Sequence, residues 1–356
     1  PRELFAFGGV FGWFAGHENE AHTLEVSVPE PTFKLYSALP SAPSTDAKLV
    51  KASARNFDHL LDSPIVVGPD VKAASVEVGG KQHWIIAYGN NAEVSLPQFV
   101  SEAKAVATQA LALFGELPYP SFSYLLDFGG PGGGLEHLDS TRIGLSARST
   151  GDSARGIMFH EYFHAFNVKR IRPTALKPFD YTKAAVTGTL WWLEGVTDYY
   201  ADVLAVRAGL TSRESFIRNA LGTISGTSQG KYLEISADDA SRKVWEVRGS
   251  FGFGGVSYYS RGWAAGAILD LGIRAHSNGK YSLDNVMVDL YNETKNGKPG
   301  YSETRILELC IKYGGESMRA IYDASVMKPG PLPLNSILEA TKTDSPEKAF
   351  ESPSLK

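Results

Sequence analysis

The amino-acid sequence predicts an α+β protein of several domains, with a β-rich start, a mixed middle and a helical end. Three observations support this prediction. The chain has 356 residues, more than one ordinary domain contains. Its first hundred residues alternate polar and apolar side chains, as half-buried strands do. Beyond residue 232 the apolar residues recur at helical spacing. We therefore expect domains at 1–96, 97–230 and 231–356, the first of them cut at its start.

The first of these domains contains two clear strand signals. Residues 23–28 alternate polar and apolar side chains. Residues 76–78 and 83–88 flank Gly79-Gly80, where a tight turn can take positive φ without a Cβ clash, so they predict a β-hairpin.

The middle of the chain changes to helical spacing at Pro97, which predicts a helix over 97–115. A strand is expected over 119–128, followed by a glycine-rich loop over 129–134. The glycines do not precede Lys-Ser or Lys-Thr, so a phosphate-binding loop is not predicted and a flexible turn is the default. Further helices are expected over 236–246, 258–276, 282–292, 302–313 and 316–327.

The composition excludes several classes of function. Hydrophobic residues make up 43% of the chain and charged residues 21%, which predicts a folded protein. The formal net charge of −4 offers no basic field for nucleic acid. No apolar stretch is long enough to span a membrane. Cys310 is the single cysteine and lies in an apolar stretch, so we expect it to be buried and not disulfide-bonded. Oligomeric state and compartment stay open.

The most informative motif is His160-Glu161-Tyr162-Phe163-His164. On a helix, residues four apart share one face, so His160 and His164 can direct two imidazoles at one metal ion while Glu161 projects beside them. This is the arrangement of zinc peptidases. The alternative is a pair of core histidines with a surface glutamate.

A catalytic zinc ion usually has a third protein ligand and keeps its fourth position for water. Glu194 is the candidate, thirty positions after His164 at the start of a predicted helix that continues to Ala208. Asp198, four residues further on the same face, can accept a proton from a ligand imidazole and fix its tautomer. On its own, Glu194 would be interpreted as a helix N-terminal carboxylate.

The sequence resembles the glycyl aminopeptidase family of zinc peptidases, within the gluzincin group. Four motifs in the same order carry this resemblance over most of the chain, namely residues 133–137 (Gly-Gly-Leu-Glu-His), 160–173, 192–200 (beginning Trp-Leu-Glu-Gly) and 258–262 (Tyr-Tyr-Ser-Arg-Gly). The resemblance implies a thermolysin-like core, one zinc ion per chain and peptide substrates with a free N-terminus, with N-terminal Gly or Ala preferred.

The resemblance also implies roles for single residues. His160, His164 and Glu194 would bind zinc, and Glu161 would be the general base that activates water. Glu136 would hold the free α-amine of the substrate. Tyr259, three residues before Gly262, would stabilise the oxyanion, and adjacent Tyr258 leaves that assignment open by one position.

The backbone of Gly133 and Gly134 offers amide groups without side chains, which can bind a peptide as an added strand. Glu136 separates two activities, because a carboxylate paired with the substrate amine restricts cleavage to the first residue. The alternatives are a zinc endopeptidase on the same core and a noncatalytic peptide-binding scaffold. His137 either assists or lines the cleft.

Two features depart from expectation. Members of the family typically have a longer N-terminal β domain and a C-terminal PDZ domain. We expect this chain to begin partway through the first and to stop before the second. The basic run Lys169-Arg170-Ile171-Arg172 has no predicted role beyond a solvated or salt-bridged segment.

Overall fold

The computed structural model describes residues 4–6, 11–12, 15–42, 46, 48–89, 92–177, 179–180, 183–247, 251–341 and 345–350. The chain divides into two compact units, Pro1–Ala165 and Phe166–Lys356. The first contains the described strands of three sheets, and the second is mostly helical. This distribution confirms the predicted α+β class.

The first unit begins with two small antiparallel sheets. Their strands are β1 (Leu4–Ala6), β2 (His22–Ser27), β3 (Lys34–Ser37), β4 (Ser41–Ala42), β5 (Leu49–Ala54) and β6 (Ile65–Gly68). One sheet has the strand order β1-β6-β3 and the other β2-β5-β4. The short helix α1 (Phe57–Leu61) lies between β5 and β6, capped by Asn56. Strand β2 confirms the alternating pattern predicted at 23–28.

The first unit also contains a mixed five-stranded sheet. Its strands are β7 (Lys72–Val78), β8 (Lys81–Gly89), β9 (Ser121–Phe128), β10 (Gly133–Glu136) and β11 (Ser140–Leu145). The order is β10-β11-β9-β8-β7, with β9 parallel to both β8 and β11. The domain division at residue 96 stays a prediction, and the sheet pairs strands from both sides of that point.

The predicted hairpin is confirmed, because β7 and β8 pair antiparallel around Gly79 and Gly80. Both glycines have positive φ, 57° and 73°, as a two-residue hairpin turn requires. The predicted start of the following helix at Pro97 is wrong. Helix α2 runs over Ala92–Phe114 with Pro97 inside it. A proline is common at a helix start, whereas further in it removes one hydrogen bond and its ring crowds the carbonyl four residues earlier, so Pro97 was interpreted as the boundary.

The glycine-rich segment is only partly a loop, because Gly133 and Gly134 begin the edge strand β10. After the sheet's last strand, helix α3 (Gly151–Phe163) carries the histidine motif. Thr150 and Ser153 form a reciprocal capping box at its start, which satisfies two backbone N–H groups that would otherwise lack partners.

The second unit begins with Phe166 and is mostly helical. Short 3₁₀ helices lie at Thr174–Leu176, Gly230–Leu233 and Val244–Glu246. The α- and π-helices are a π-helix at Trp191–Val196, α4 (Thr197–Arg207), α5 (Arg213–Gly226), α6 (Ala237–Arg242), α7 (Tyr258–His276), α8 (Leu283–Thr294), α9 (Arg305–Gly314), α10 (Ser317–Tyr322), a second π-helix at Asp323–Met327, α11 (Leu334–Thr341) and α12 (Pro346–Ala349). The short strands β12 (Gly252–Phe253) and β13 (Val256–Ser257) pair before α7.

Most of the helices predicted here are confirmed, and α7 has the predicted bounds. Two predictions of continuous helices are wrong. The segment 236–246 breaks after α6 into a 3₁₀ turn at Val244–Glu246, and 316–327 changes from α10 into a π-helix. Cys310 is fully buried, as predicted. Within the described residues, the helices are too short or too polar for any of them to cross a membrane.

Candidate active site

The two histidines of the motif lie at the C-terminal end of α3, His160 in its last turn and His164 at its C-cap. Both are buried, and their Nε2 atoms are 2.9 Å apart. The rings are perpendicular, with centroids 4.5 Å apart. The side chains therefore converge on one point, as the four-residue spacing predicts.

Glu161 is also buried, and its position depends on strands β10 and β11. The Thr141 hydroxyl lies 3.4 Å from Glu161 Oε2 and 3.1 Å from the Leu135 carbonyl oxygen. A Cβ added at Gly134 would lie 2.0 Å from Glu161 Oε1. The absence of a side chain at 134 therefore leaves the space that the carboxylate occupies.

Glu136 ends the edge strand β10 and is half-buried. One ligand atom each of Glu136, Glu161 and His164 lie within 4.8 Å of one another. Two carboxylates at this separation repel each other, and a positive charge placed between them offsets the repulsion. The first unit thus brings Glu136, the predicted amine-binding residue, beside Glu161, the predicted general base.

The end of β10 is held by Asp62, the residue that caps α1 at its C-terminus. His137 Nδ1 lies 3.1 Å from Asp62 Oδ1, and the Leu138 backbone N–H donates to Asp62 Oδ2 over 2.9 Å. His137 is buried, and its Nε2 has no hydrogen-bond partner among the described residues. Asp62 therefore fixes the backbone that follows Glu136.

The helix predicted to carry Glu194 is present but begins as a π-helix. Glu194 lies in the segment Trp191–Val196, called the π-turn below, and is half-buried. Asp198 follows in the first turn of α4 and is also half-buried. π-Helical turns are rare and recur at functional sites.

Tyr258 and Tyr259 begin α7, and their rings stack with centroids 4.9 Å apart. Burial raises the pKa of Tyr258 to about 12, and the nearby Glu194 carboxylate adds to this shift, while a hydrogen bond with Tyr259 opposes it. Phe251 packs edge-on against Tyr259.

Sequence reasoning identified the histidines and glutamates but missed three residues that hold them. Gly134 had been interpreted only as a backbone contact for substrate. Thr141 and Asp62 lie 20 and 75 positions from the residues they contact, Glu161 and His137. Neither belongs to a motif, so a single sequence contains no signal for them.

Comparison with known structures identifies the class of protein first. The chain has the fold of the thermolysin-like M1 aminopeptidases. It is similar to an aminopeptidase N family protein from Idiomarina loihiensis, with a TM-score of 0.81, 24% identity, and coverage of 91% of this chain and 58% of that one. It is also similar to an M1 zinc metallopeptidase from Deinococcus radiodurans, with a TM-score of 0.61, 17% identity, and coverage of 88% of this chain and 65% of that one. Native yeast LTA4 hydrolase is similar with a TM-score of 0.57, 14% identity, and coverage of 88% of this chain and 47% of that one.

Two family models then identify the family. The model of the M61 glycyl aminopeptidase matches residues 153–264, and that of the M61 peptidase N-terminal domain matches residues 2–69. Together they cover about half of the chain, which belongs to the M61 glycyl aminopeptidase family. The chain spans less than two thirds of the length of each of the three similar structures. No curated protein sequence matches it.

Proposed function

We propose that this chain is a zinc-dependent aminopeptidase that removes the N-terminal residue of peptides and prefers Gly or Ala at that position. The family supports the reaction and the preference. The observation that carries the exopeptidase assignment is the placement of the Glu136 carboxylate within 4.8 Å of ligand atoms of Glu161 and His164.

The chemistry of the donor set fits a zinc ion. His160 and His164 present two buried imidazole nitrogens that converge, and a glutamate added to two histidines is a donor set of catalytic zinc sites. We propose Glu194 as the third ligand of one ion per chain, on the basis of its motif. Asp198 is proposed to accept the proton of a ligand imidazole and so to fix its tautomer.

The substrate amine is proposed to bind Glu136. A protonated N-terminus supplies the positive charge that two neighbouring carboxylates favour. The ion pair also leaves no room for a residue upstream of the scissile bond. A protein with a similar fold binds free amino acids. A two-domain M1 zinc metallopeptidase was crystallised with L-arginine in one structure and with L-tryptophan in another.

Zinc, when bound, lowers the pKa of water and polarises the scissile carbonyl. The protein's own residues supply the rest. Glu161 takes the proton of the attacking water and delivers it to the leaving amine. The edge strand β10, with Gly133 and Gly134 at its start, is available to pair with an extended peptide. Tyr259 donates a hydrogen bond to the developing oxyanion, worth about 3 kcal/mol in comparable sites.

Hydrolysis of a glycyl arylamide tests the proposal, with zinc content measured on the same preparation and the N-acetylated compound as the matched substrate. We expect cleavage of the free amine form only. The Glu161→Gln variant should retain zinc and lose at least about 100-fold in kcat. Equal cleavage of the acetylated form would show an endopeptidase and not an aminopeptidase. Absence of zinc from protein purified without chelator would refute the mechanism.

The same assay separates Tyr258 from Tyr259. Phenylalanine at the position that stabilises the oxyanion should lower kcat about 100-fold with little change in KM. Phenylalanine at the other position should change kcat far less. A large loss in Tyr258→Phe alone would move the assignment by one residue.

A further inference from the structure

Asn167 follows the second histidine of the motif by three positions and is completely buried. Its Nδ2 group donates to the Trp192 carbonyl oxygen over 2.9 Å and to the Thr197 hydroxyl over 3.0 Å. The two acceptors stand on either side of Glu194 in the sequence. One amide side chain therefore contacts the chain on both sides of the proposed zinc ligand, at the π-turn before it and at the first residue of α4 after it.

Thr197 extends this contact to a second carbonyl of the π-turn. It is also completely buried, and its hydroxyl donates to the Leu193 carbonyl oxygen over 2.7 Å. The hydroxyl thus accepts from Asn167 and donates to Leu193, in a short hydrogen-bond chain. These two side chains therefore donate to two consecutive buried carbonyls just before Glu194 and link them through one hydrogen-bond chain.

The segment that holds Asn167 is itself tightly fixed. Val168 has φ +130°, an uncommon conformation for a β-branched residue that persists only where the surroundings impose it. Arg172 Nε donates to the Val168 carbonyl oxygen over 2.9 Å, and the Ile171 N–H donates to the Phe166 carbonyl oxygen over 2.8 Å. The basic run that lacked a predicted role therefore includes a residue, Arg172, that closes this turn.

We propose that Asn167 and Thr197 are positioning residues that hold the π-turn in the conformation in which Glu194 binds zinc. This inference rests on the proposed function, in which Glu194 is the third ligand. Groups that orient a metal ligand typically change metal affinity 10- to 100-fold when removed. Both residues belong to motifs that carry the family resemblance, and their hydrogen bonds give them a role separate from the ligands.

The test measures zinc affinity by competition with a chromogenic chelator, in wild type and in Asn167→Leu and Thr197→Val. Both changes keep the number and branching of the side-chain heavy atoms and remove the hydrogen bonds. We expect zinc to bind 10- to 100-fold more weakly in each variant. The zinc affinity of the double variant should be only slightly below that of the single variant with the lower affinity, because the two residues act in one hydrogen-bond chain. Thr197→Ser keeps the hydroxyl and should restore most of the affinity.

Thr294→Val is the matched control. Thr294 is buried, and its hydroxyl donates to the Leu290 carbonyl oxygen over 2.7 Å at the end of α8, so the change removes the same kind of bond elsewhere in the unit. Its zinc affinity should equal that of wild type. Wild-type affinity in Asn167→Leu and Thr197→Val, or an equal loss in Thr294→Val, would overturn the inference.

Two other outcomes are distinguishable. Absence of zinc from the wild-type protein would remove the proposed function and this inference with it, whereas tight binding by wild type and variants alike would overturn only the inference. If circular dichroism shows that Asn167→Leu does not fold, the comparison of Thr197→Val with Thr197→Ser decides. Equal affinities in that pair would count against the proposal.

Discussion

Gly134 affects the position of Glu161 because it has no side chain. Glu161 Oε1 lies 2.0 Å from the point at which a Cβ at position 134 would stand. We expect Gly134→Ala to displace the carboxylate and to lower kcat on the order of 100-fold, the cost of a misplacement of about 1 Å. The fold should be retained, because Gly134 is exposed on an edge strand. Arylamide hydrolysis and zinc content measure the two effects.

Gly132→Ala is the control for this prediction. Gly132 is exposed, and no atom lies within 4 Å of a Cβ placed there. Its turnover should match that of wild type. Similar losses in both variants would mean that the glycine-rich segment acts through its flexibility and not through the space beside Glu161.

At this scale the sequence predicted the chemistry better than the support. His160, Glu161 and His164 were identified because a helix brings residues four apart onto one face. The contacts of Gly134, Thr141 and Asp62 join residues far apart in the chain, and local spacing contains no record of which strands become neighbours. The hydrogen bonds of Asn167 were missed for the same reason, although the residue lies within a quoted motif.

At the scale of elements, the π-turn and helix α7 approach each other at two glycines. A Cβ at Gly262 would lie 2.2 Å from the Trp191 carbonyl oxygen, and a Cβ at Gly195 would lie 2.5 Å from the Gly262 Cα. These are backbone contacts that cannot move aside cheaply. We expect Gly262→Ala to lower the free energy of unfolding by about 3 kcal/mol, the upper part of the range for overpacking. Urea denaturation followed by circular dichroism measures the change.

Gly222→Ala, also inside a helix, should change the free energy of unfolding in the opposite direction. Gly222 lies inside α5, and nothing lies within 4 Å of an added Cβ. Alanine there should stabilise the protein by about 0.5 to 1 kcal/mol through helix propensity. Equal and small effects at both positions would mean that the π-turn and α7 can separate without cost.

The elements themselves were predictable where one periodic pattern filled the whole element. Helix α7 has the predicted bounds, and Ser257 caps it. The π-turn was predicted only as a helix. Over so few residues, the i→i+5 hydrogen bonds of a π-helix and the i→i+4 hydrogen bonds of an α-helix give similar spacing of the apolar residues. The start of α2 was missed because Pro97 was interpreted as a boundary, and β10 because glycines carry no apolar alternation.

At the scale of the whole molecule, the two units contain buried ionisable groups with opposite effects on stability. In the first unit, burial lowers the pKa of His83 from 6.5 to about 4. His83 Nε2 lies 2.9 Å from the Tyr119 hydroxyl, which in turn hydrogen-bonds Tyr162 of α3. The folded unit keeps His83 neutral, while the unfolded chain takes up a proton below about pH 6.5. Stability is therefore complete above pH 6.5 and falls towards pH 4, by about 3 kcal/mol.

His83→Gln tests this effect, since glutamine cannot titrate and can still reach the Tyr119 hydroxyl. The variant should lose the contribution of His83 to the fall in stability between pH 6.5 and pH 4. Hydrogen exchange of α3 peptides, compared with wild type at each pH, measures the difference. An unchanged slope would exclude His83 as its source.

Asp202 gives the second unit the opposite slope. Burial raises its pKa from 3.8 to about 6, and the charge of Asp198 adds to the shift, while the hydrogen bond from Trp263 Nε1, 2.9 Å long, opposes it. Below pH 3.8 both states are protonated and no penalty exists. Between pH 3.8 and 6 the unfolded chain releases its proton first, so stability falls by about 3 kcal/mol and stays low at higher pH.

Asp202→Asn removes the charge and keeps an acceptor for Trp263. It should slow hydrogen exchange of α4 and α7 above pH 6 and leave it unchanged near pH 4. An effect of equal size at both pH values would trace the gain to packing and not to the buried charge.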